Sequence, residues 1–232
     1  MKSIIKIIIF IAFIYIIGSI NDIFNNKYHK RGSIPNNVMK YFKGDYFLNK
    51  IQNLPVTYLE YKDDDLNPKR YVNSTVKEFI KLNNTREKRQ QIKQSFNEDR
   101  LSKYFLEYGY YPIVKHFNIK NSRPFIIRIS NSKWTFDYHY DCMDLLLVQL
   151  SGTRVVYLKE KKNSKEKRYT LNAGDTLYIP IGVYHRVETH SGLNINFNII
   201  LETDIDKMDK CNKQFSKDYK VQYKKCENNN CV

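Results

Sequence analysis

Residues 134–158 of this 232-residue chain read WTFDYHYDCMDLLLVQLSGTRVVYL. Short runs of aromatic, β-branched and leucine residues alternate here with turn residues, a pattern typical of strands joined by tight turns. Inside this stretch we predict strands at residues 134–140, 145–150 and 153–158, and around it at 56–61, 125–129, 169–171, 176–179, 185–188 and 194–201. Seven or eight short strands with this spacing beyond residue 125 predict a mainly β fold, a sandwich or a barrel.

The composition excludes a wholly disordered chain, because 42% of the residues are hydrophobic and 14% are aromatic. The chain is basic, with 39 Lys and Arg against 24 Asp and Glu and a formal net charge of +15. Such a charge attracts nucleic acids and acidic membranes. The acidic residues are interspersed with the basic ones and no arginine-rich arm is present, so we expect a solvated basic surface and no nucleic-acid binding.

The first 21 residues differ from the rest of the chain. Lys2 and Lys6 precede an unbroken apolar run over residues 7–17, which residues 18–20 extend. This length is at the short end of what spans a bilayer, and Lys6 can reach the headgroups. The pattern favours an uncleaved membrane anchor over residues 1–21; a cleaved signal peptide and a buried core helix are the alternatives.

Sequons and cysteines bear on the compartment. N-glycosylation patterns begin at Asn73 and Asn83. A disulfide would tie the polar C-terminal tail to the body in an oxidising compartment. Zinc is the rival interpretation, but the chain has no CxxC pair and no histidine beyond His190. We therefore expect a body in the lumen of the endoplasmic reticulum or secretory pathway. The disulfide pairing stays open among Cys142, Cys211, Cys226 and Cys231. Cys142 is expected to be a buried thiol.

The remaining segments follow from polarity and capping. The chain is polar from residue 21 to about residue 55, Asn73-Ser74-Thr75 can cap a helix, and residues 86–100 are expected to form a charged, exposed helix. We divide the chain into an anchor (1–21), a strand and helices leading into the barrel (22–100), the barrel (101–205) and a cysteine-containing polar tail (206–232).

One constellation carries chemistry. His139 and Asp141 are two residues apart in a predicted strand and therefore project from the same face. A second histidine would complete the facial triad of two histidines and one carboxylate that binds Fe(II) and leaves positions open. His185 follows a turn, a strand and a second turn, which would bring it back beside the first strand. Arg154 is a fixed cation that can pair with the far end of a dicarboxylate.

These residues resemble the JmjC-type, cupin-like oxygenases. The resemblance rests on His139-Tyr140-Asp141, on Gln149 with Gly152-Thr153-Arg154, on residues 174–185 and on Asn196-Phe197. It implies a double-stranded β-helix, a jelly-roll or cupin barrel preceded by helices. It also implies that His139, Asp141 and His185 bind Fe(II), that 2-oxoglutarate chelates this metal with its far carboxylate at Arg154, and that Asn196 is a polar neighbour of the metal or cosubstrate.

The chain departs from the family pattern at three positions. Arg154 stands where the family usually has lysine, Leu145 where many relatives have asparagine, and Phe136 where they have threonine or serine. The last two changes remove polar contacts expected around 2-oxoglutarate.

The resemblance implies a 2-oxoglutarate-dependent dioxygenase that hydroxylates a protein side chain. The N-terminal apolar run, the sequons and the cysteines add the expectation that it is anchored in a membrane of the secretory pathway. The first alternative is a non-catalytic lumenal barrel that binds protein partners, motivated by Leu145 and Phe136. The second is a cytosolic or nuclear oxygenase acting on basic protein or RNA, motivated by the charge of +15.

Overall fold

The structure is a computed structural model. It describes residues 30–61, 70–82, 89–130, 133–190 and 192–218. The predictions for the anchor (residues 1–21), for the sequon at Asn83 and for Cys226 and Cys231 lie outside these residues. Within the described ranges, no helix has the length and apolar character needed to cross a membrane.

Two antiparallel sheets form the core of the fold, which confirms the mainly β prediction. The larger sheet has the order β1-β10-β7-β12-β5-β4-β2-β3, built from β1 (Lys30–Ser33), β2 (Pro55–Tyr61), β3 (Arg70–Thr75), β4 (Arg89–Ser95), β5 (Ser122–Ser130), β7 (Leu145–Ser151), β10 (Asp175–Ile179) and β12 (Asn194–Leu201). The smaller sheet has the order β6-β11-β8-β9, built from β6 (Trp134–His139), β8 (Arg154–Lys159), β9 (Lys167–Leu171) and β11 (Tyr184–Thr189). From β5 to β12 every connection crosses from one sheet to the other except the hairpin between β8 and β9, which is the jelly-roll order.

Helices cover one face of the larger sheet. They are α1 (Asn36–Met39) with a following 3-10 turn, α2 (Gly44–Ile51), α3 (Val76–Leu82), α4 (Arg100–Phe105), a π-helical turn (Leu106–Tyr110) and α5 (Tyr111–His116). Phe42, Phe47 and Ile51 are fully buried in this layer. Although the segment from residue 21 to 55 is mostly polar in sequence, its described part, from residue 30 on, therefore places a few large apolar side chains in the core beneath the sheet.

The two faces of β12 have opposite chemistry because successive strand residues point to opposite faces. Ile195, Phe197 and Ile199 belong to the apolar core beneath the helices. Asn196 and Asn198 line a cavity between the two sheets. The larger sheet thus separates the apolar core beneath the helices from a space between the sheets that contains both this polar cavity and a second, smaller apolar cluster.

The described part of the segment 86–100, from Arg89 on, does not form the expected exposed helix. Residues 89–95 are strand β4, which pairs with both β2 and β5 and buries Ile92 completely, and a helix begins only at Arg100. Propensity alone does not favour a strand in this Gln- and Lys-rich sequence, so tertiary pairing determines its conformation.

The predicted helix after Asn73-Ser74-Thr75 is present as α3. The backbone N–H of Thr75 donates to Glu78 Oε2 at 2.9 Å, and the Glu78 N–H donates back to Thr75 Oγ1 at 3.3 Å. This is a capping box, in which each side chain satisfies an N–H group of the helix start.

The beginning of the polar tail is also ordered. Helix α6 (Ile205–Asp218) follows the last strand, and a disulfide between Cys142 and Cys211 ties it to the barrel. The Tyr140 hydroxyl donates to Asp218 Oδ2 at 2.8 Å. Cys142 is thus not the buried free thiol that the sequence suggested. It is the barrel residue that forms a disulfide with the C-terminal tail.

Candidate metal centre

Three side chains meet at one end of the smaller sheet. His139 is the last residue of β6 and His185 is its cross-strand partner on β11, with the two ring centroids 4.2 Å apart. His185 Nε2 lies 3.5 Å from Asp141 Oδ2. One ligand atom from each of the three residues lies within 4.8 Å of the others. These are the distances expected of side chains that could surround one metal ion.

Asp141 reaches this cluster from outside the strand. The expectation that His139 and Asp141 share one strand is wrong, because β6 ends at His139. The Asp141 carbonyl instead accepts a hydrogen bond from the N–H of Gly182 at 2.9 Å. The turn before β11 therefore helps to hold the backbone of Asp141 in place.

The hydrogen bonds of both histidines leave the same nitrogen available to a metal. His139 Nδ1 lies 2.8 Å from the Asp137 carbonyl, and His185 Nδ1 lies 3.0 Å from the Val183 carbonyl. A carbonyl only accepts, so each Nδ1 carries the proton and each Nε2 keeps its lone pair.

The protonation state also suits a metal. Burial, and then the neighbouring His185, lowers the pKa of His139 to about 4. Burial also lowers the pKa of His185. Both rings are therefore neutral at neutral pH, as metal binding requires.

A cavity of about 190 Å³ extends from the triad between the two sheets. Arg154 and Asn196 line its closed end, each with 2% of its surface exposed. Arg154 is the first residue of β8, just after a tight turn in which Gly152 has a φ of 72°, a conformation that favours glycine.

Arg154 is incompletely paired. Its Nη1 donates to Asn196 Oδ1 at 3.0 Å, while its buried Nε and Nη2 have no hydrogen-bond partner. Burial, and then the charge of Arg128, lowers the pKa of Arg154 to about 9. A buried guanidinium with two unpaired N–H groups is costly, and a carboxylate can accept from both.

Comparison with known families agrees with this geometry. Residues 113–206 match the family model described as the JmjC domain. This segment is a JmjC domain. It contains the triad, Arg154 and Asn196, whereas β1 to β4 precede it and most of α6 follows it.

Other comparisons are less informative. No curated protein matches the chain. Among solved structures, the cupin domain of CENP-C from Drosophila melanogaster is 15% identical, with a TM-score of 0.30. That match covers 33% of this chain and 59% of the CENP-C chain. A likeness at this TM-score supports no conclusion about function.

Two cavity-lining cations were not predicted from the sequence. Arg128 on β5 lies inside the JmjC domain, and Lys93 on β4 lies outside it. In the amide orientation that satisfies both partners, Asn198 Oδ1 accepts from Arg128 Nη1 at 3.0 Å. The alternation of β5 would have revealed Arg128, but Lys93 was hidden because its segment was expected to be a helix.

The two apolar departures from the JmjC pattern occupy different places. Leu145 is buried in the apolar cluster of the barrel, opposite Ile179 of β10. Phe136 lines the cavity, with its ring centroid 4.5 Å from that of His139. Phe136 therefore gives the cavity an apolar wall beside the triad.

Proposed function

We propose that the chain is an Fe(II)- and 2-oxoglutarate-dependent oxygenase. The observation that carries this proposal is a single cavity holding both the His139, Asp141 and His185 cluster and the unpaired N–H groups of Arg154. The cluster offers the donor set that non-haem Fe(II) favours. The guanidinium offers a positive charge and two unpaired N–H donors to the far carboxylate of 2-oxoglutarate.

The residues present fit these groups. His139 and His185 would each provide Nε2 and Asp141 a carboxylate oxygen, with the rings held by their bonds to backbone carbonyls. Arg154 would bind the far carboxylate, and Asn196 would hold the guanidinium through its existing bond. When bound, Fe(II) and 2-oxoglutarate would supply the electrons that activate O₂, and O₂ would be the oxidant of the substrate C–H bond.

The walls of the cavity contribute by excluding water. Arg154, Asn196 and His185 are at most 4% exposed, whereas the Asp141 side chain is 30% exposed. The cosubstrate end is thus closed and the triad faces solvent on one side. A substrate would enter on the side of Asp141 and would complete the exclusion of water.

We propose hydroxylation of a protein side chain in the secretory pathway, by a body that residues 1–21 anchor to the membrane. The Cys142–Cys211 disulfide supports this compartment, because disulfides persist where the environment is oxidising. The sequon residue Asn73 lies on β3, an edge strand of the larger sheet. A glycan at Asn73 would exclude the cytosolic or nuclear alternative.

The test uses the full chain purified in detergent, with Fe(II) and 2-oxoglutarate. We expect succinate release, and we expect His139→Ala to weaken Mn(II) binding by more than about 100-fold, since even the loss of a residue behind a ligand costs 10–100-fold. Arg154→Met should keep metal binding and raise the KM for 2-oxoglutarate by about 10- to 100-fold.

His190→Ala is the matched control, because His190 is exposed in the loop after β11. It should change neither metal binding nor succinate release. If the wild-type chain releases no more succinate than His139→Ala does, the oxygenase proposal is wrong.

A non-catalytic barrel that binds protein partners is the second candidate. It is favoured by the apolar side chains of Leu145 and Phe136, where polar contacts to 2-oxoglutarate were expected. In that case the chain would bind Mn(II), but calorimetry would detect no binding of 2-oxoglutarate.

A further inference from the structure

Three buried amides lie at the closed end of the cavity. Asn196 on β12 pairs with Gln149 on β7, and Asn194 is two residues before Asn196 and therefore on the same face of β12. All three residues are at most 2% exposed. Arg154 and Asn196 line the cavity, whereas Gln149 and Asn194 are not among the described residues that line it. An effect of Asn194 on a ligand of this cavity must therefore pass through another side chain.

Hydrogen bonds link these amides to Arg154. Gln149 Nε2 donates to Asn194 Oδ1 at 3.0 Å, and Asn196 Nδ2 donates to the same oxygen at 3.4 Å. Arg154 Nη1 donates in turn to Asn196 Oδ1 at 3.0 Å. Asn196 is therefore the link between Asn194 and Arg154.

A backbone carbonyl sets the direction of this chain of hydrogen bonds. Asn194 Nδ2 donates to the Thr153 carbonyl at 2.9 Å. Because a carbonyl only accepts, the Oδ1 atom of Asn194 must face away from Thr153 and towards Asn196. That oxygen also only accepts, so the amide of Asn196 turns its Nδ2 to Asn194 and its Oδ1 to Arg154.

The opposite orientation of the Asn196 amide is unfavourable at both of its ends. It would point Nδ2 at the guanidinium of Arg154, which has no acceptor, and would place Oδ1 against the oxygen of Asn194. Without an acceptor at residue 194, the orientation of Asn196 would be held at the Arg154 end only. The conformation of Asn196 therefore depends on Asn194.

The turn that provides the Thr153 carbonyl lies directly before Arg154 and packs closely against β12. A Cβ atom at Gly152 would lie 2.6 Å from the Leu193 carbonyl oxygen and 2.8 Å from Asn194 Nδ2. These distances are too short for any side chain, so glycine permits the approach. Asn194 is thus anchored to the segment that carries Arg154.

The orientation of Asn196 decides which edge of Arg154 is available to a ligand. Nη1 is occupied by Asn196, whereas Nε and Nη2 are buried without a hydrogen-bond partner. The N–H bonds of Nε and Nη2 lie side by side along one edge of the planar guanidinium, and such an edge matches the two oxygens of a carboxylate. Asn196 therefore holds the guanidinium with this edge free.

We propose that Asn194 is a positioning residue for Arg154, acting through the amide of Asn196 so that the Nε and Nη2 edge of the guanidinium stays available to a carboxylate. That this carboxylate is the far end of 2-oxoglutarate rests on the proposed oxygenase function, whereas the positioning of Arg154 stands on the hydrogen bonds alone. Asn194 thus determines cosubstrate affinity although it does not line the cavity.

A double-mutant cycle tests this route. The full chain in detergent is saturated with Mn(II) and titrated by calorimetry with N-oxalylglycine, an inert analogue of 2-oxoglutarate. We expect Asn194→Leu, a change of similar size, to weaken N-oxalylglycine binding about tenfold, as loss of one positioned hydrogen bond allows, without changing the affinity for Mn(II). In an Asn196→Ala background the same substitution should weaken it by less than about twofold, because the link to Arg154 is gone.

Asn172→Ala is the matched control for this cycle. It removes an exposed amide whose Oδ1 accepts from Thr153 Oγ1 at 3.2 Å, at the same turn, and it should leave the affinity for N-oxalylglycine unchanged. Should Asn194→Leu not fold, as a loss of Mn(II) binding would show, Asn194→Ala takes its place in the cycle.

The guanidinium itself can be observed without any cofactor, by NMR of the full chain carrying isotope-labelled arginine. A guanidinium that is held in place gives separate signals for Nη1 and Nη2, because rotation about its Cζ–Nε bond is slow. The signals of Arg154 are identified by their loss in Arg154→Met. We expect separate Arg154 signals in the wild type and in Asn172→Ala, and a single averaged signal in Asn194→Leu.

The remaining outcomes separate the two proposals. An unchanged affinity in Asn194→Leu, or equal losses in the two backgrounds, would overturn the positioning role, since Asn194 would then not act through Asn196. Separate Arg154 signals in Asn194→Leu would also overturn it. A wild-type chain that binds no N-oxalylglycine, yet shows separate Arg154 signals that merge in Asn194→Leu, would confirm the positioning role and contradict the oxygenase.

Discussion

The outer face of the larger sheet packs Phe197 and Ile199 of β12 against helices, while the inner face of the same strand carries Asn196 and Asn198 into the cavity. The outer face is apolar and closely packed, and burial of apolar surface is the main source of folding free energy. The inner face contains amides and the buried Arg154, whose Nε and Nη2 have no hydrogen-bond partner, and such groups reduce stability unless a ligand is bound. One strand thus separates residues of the apolar core from residues that line the cavity.

Removing a large side chain from the outer face of β12 should have the largest effect on the free energy of unfolding. Phe197 is fully buried, with the rings of Phe96 and Phe105 at centroid distances of 6.0 and 6.1 Å. We expect Phe197→Ala to lower the free energy of unfolding by about 3–5 kcal/mol, measured by urea denaturation. Asn196→Ala, on the inner face of the same strand, should cost about 1–2 kcal/mol through the lost bond to Arg154. If the two variants lowered the free energy of unfolding equally, the two faces of β12 would contribute equally to stability.

Loss of the disulfide, which lies near the candidate metal site, should have the next largest effect on the free energy of unfolding. Helix α6 contains no buried residue; the Cys142–Cys211 bond attaches it covalently to the barrel, beside a ring contact of Tyr140 with Phe215 at 5.5 Å. We expect the double substitution Cys142→Ser and Cys211→Ser to lower the free energy of unfolding by about 2–4 kcal/mol. Limited proteolysis should then cleave α6 first.

Tyr140→Phe is the smaller, matched change for this helix, since it removes only the hydrogen bond to Asp218. It should leave the resistance of α6 to protease close to that of the wild type. If the double variant resists cleavage equally well, side-chain packing holds the helix and the disulfide does not.

The smallest expected effect is an increase in stability, and it comes from replacing Lys93 on the inner face of the sheet. Burial, and then the charge of Arg128, lowers the pKa of Lys93, so the charged form of this lysine is disfavoured in the folded state. At neutral pH this charge therefore costs stability, and the cost disappears only as the pH rises through the pKa of lysine. Lys93→Met should raise the midpoint of thermal unfolding by about 1–3 °C. A fall in the midpoint would show that Lys93 stabilises the fold.

The barrel strands could be predicted because their signal is local. Alternating apolar residues bounded by turns place β5 to β12 within a few residues of their observed positions, and the HxD motif with His185 indicates the cluster. Strand β4 could not be found this way, since Gln91 and Lys93 read as a solvated helix until β2 and β5 pair with them. The partner of Cys211 was equally hidden, because pairing depends on where helix α6 lies in space.

The alternation of β12 also links correct folding to a usable site. A slip of one residue against β5 and β7 would turn its asparagines into the helix-covered core and place Phe197 in the cavity. Each amide buried there without a partner would cost about 1–3 kcal/mol, enough to leave a large share of such chains unfolded. Cellular quality control that removes unstable chains would therefore discard those with a defective pocket without testing their chemistry.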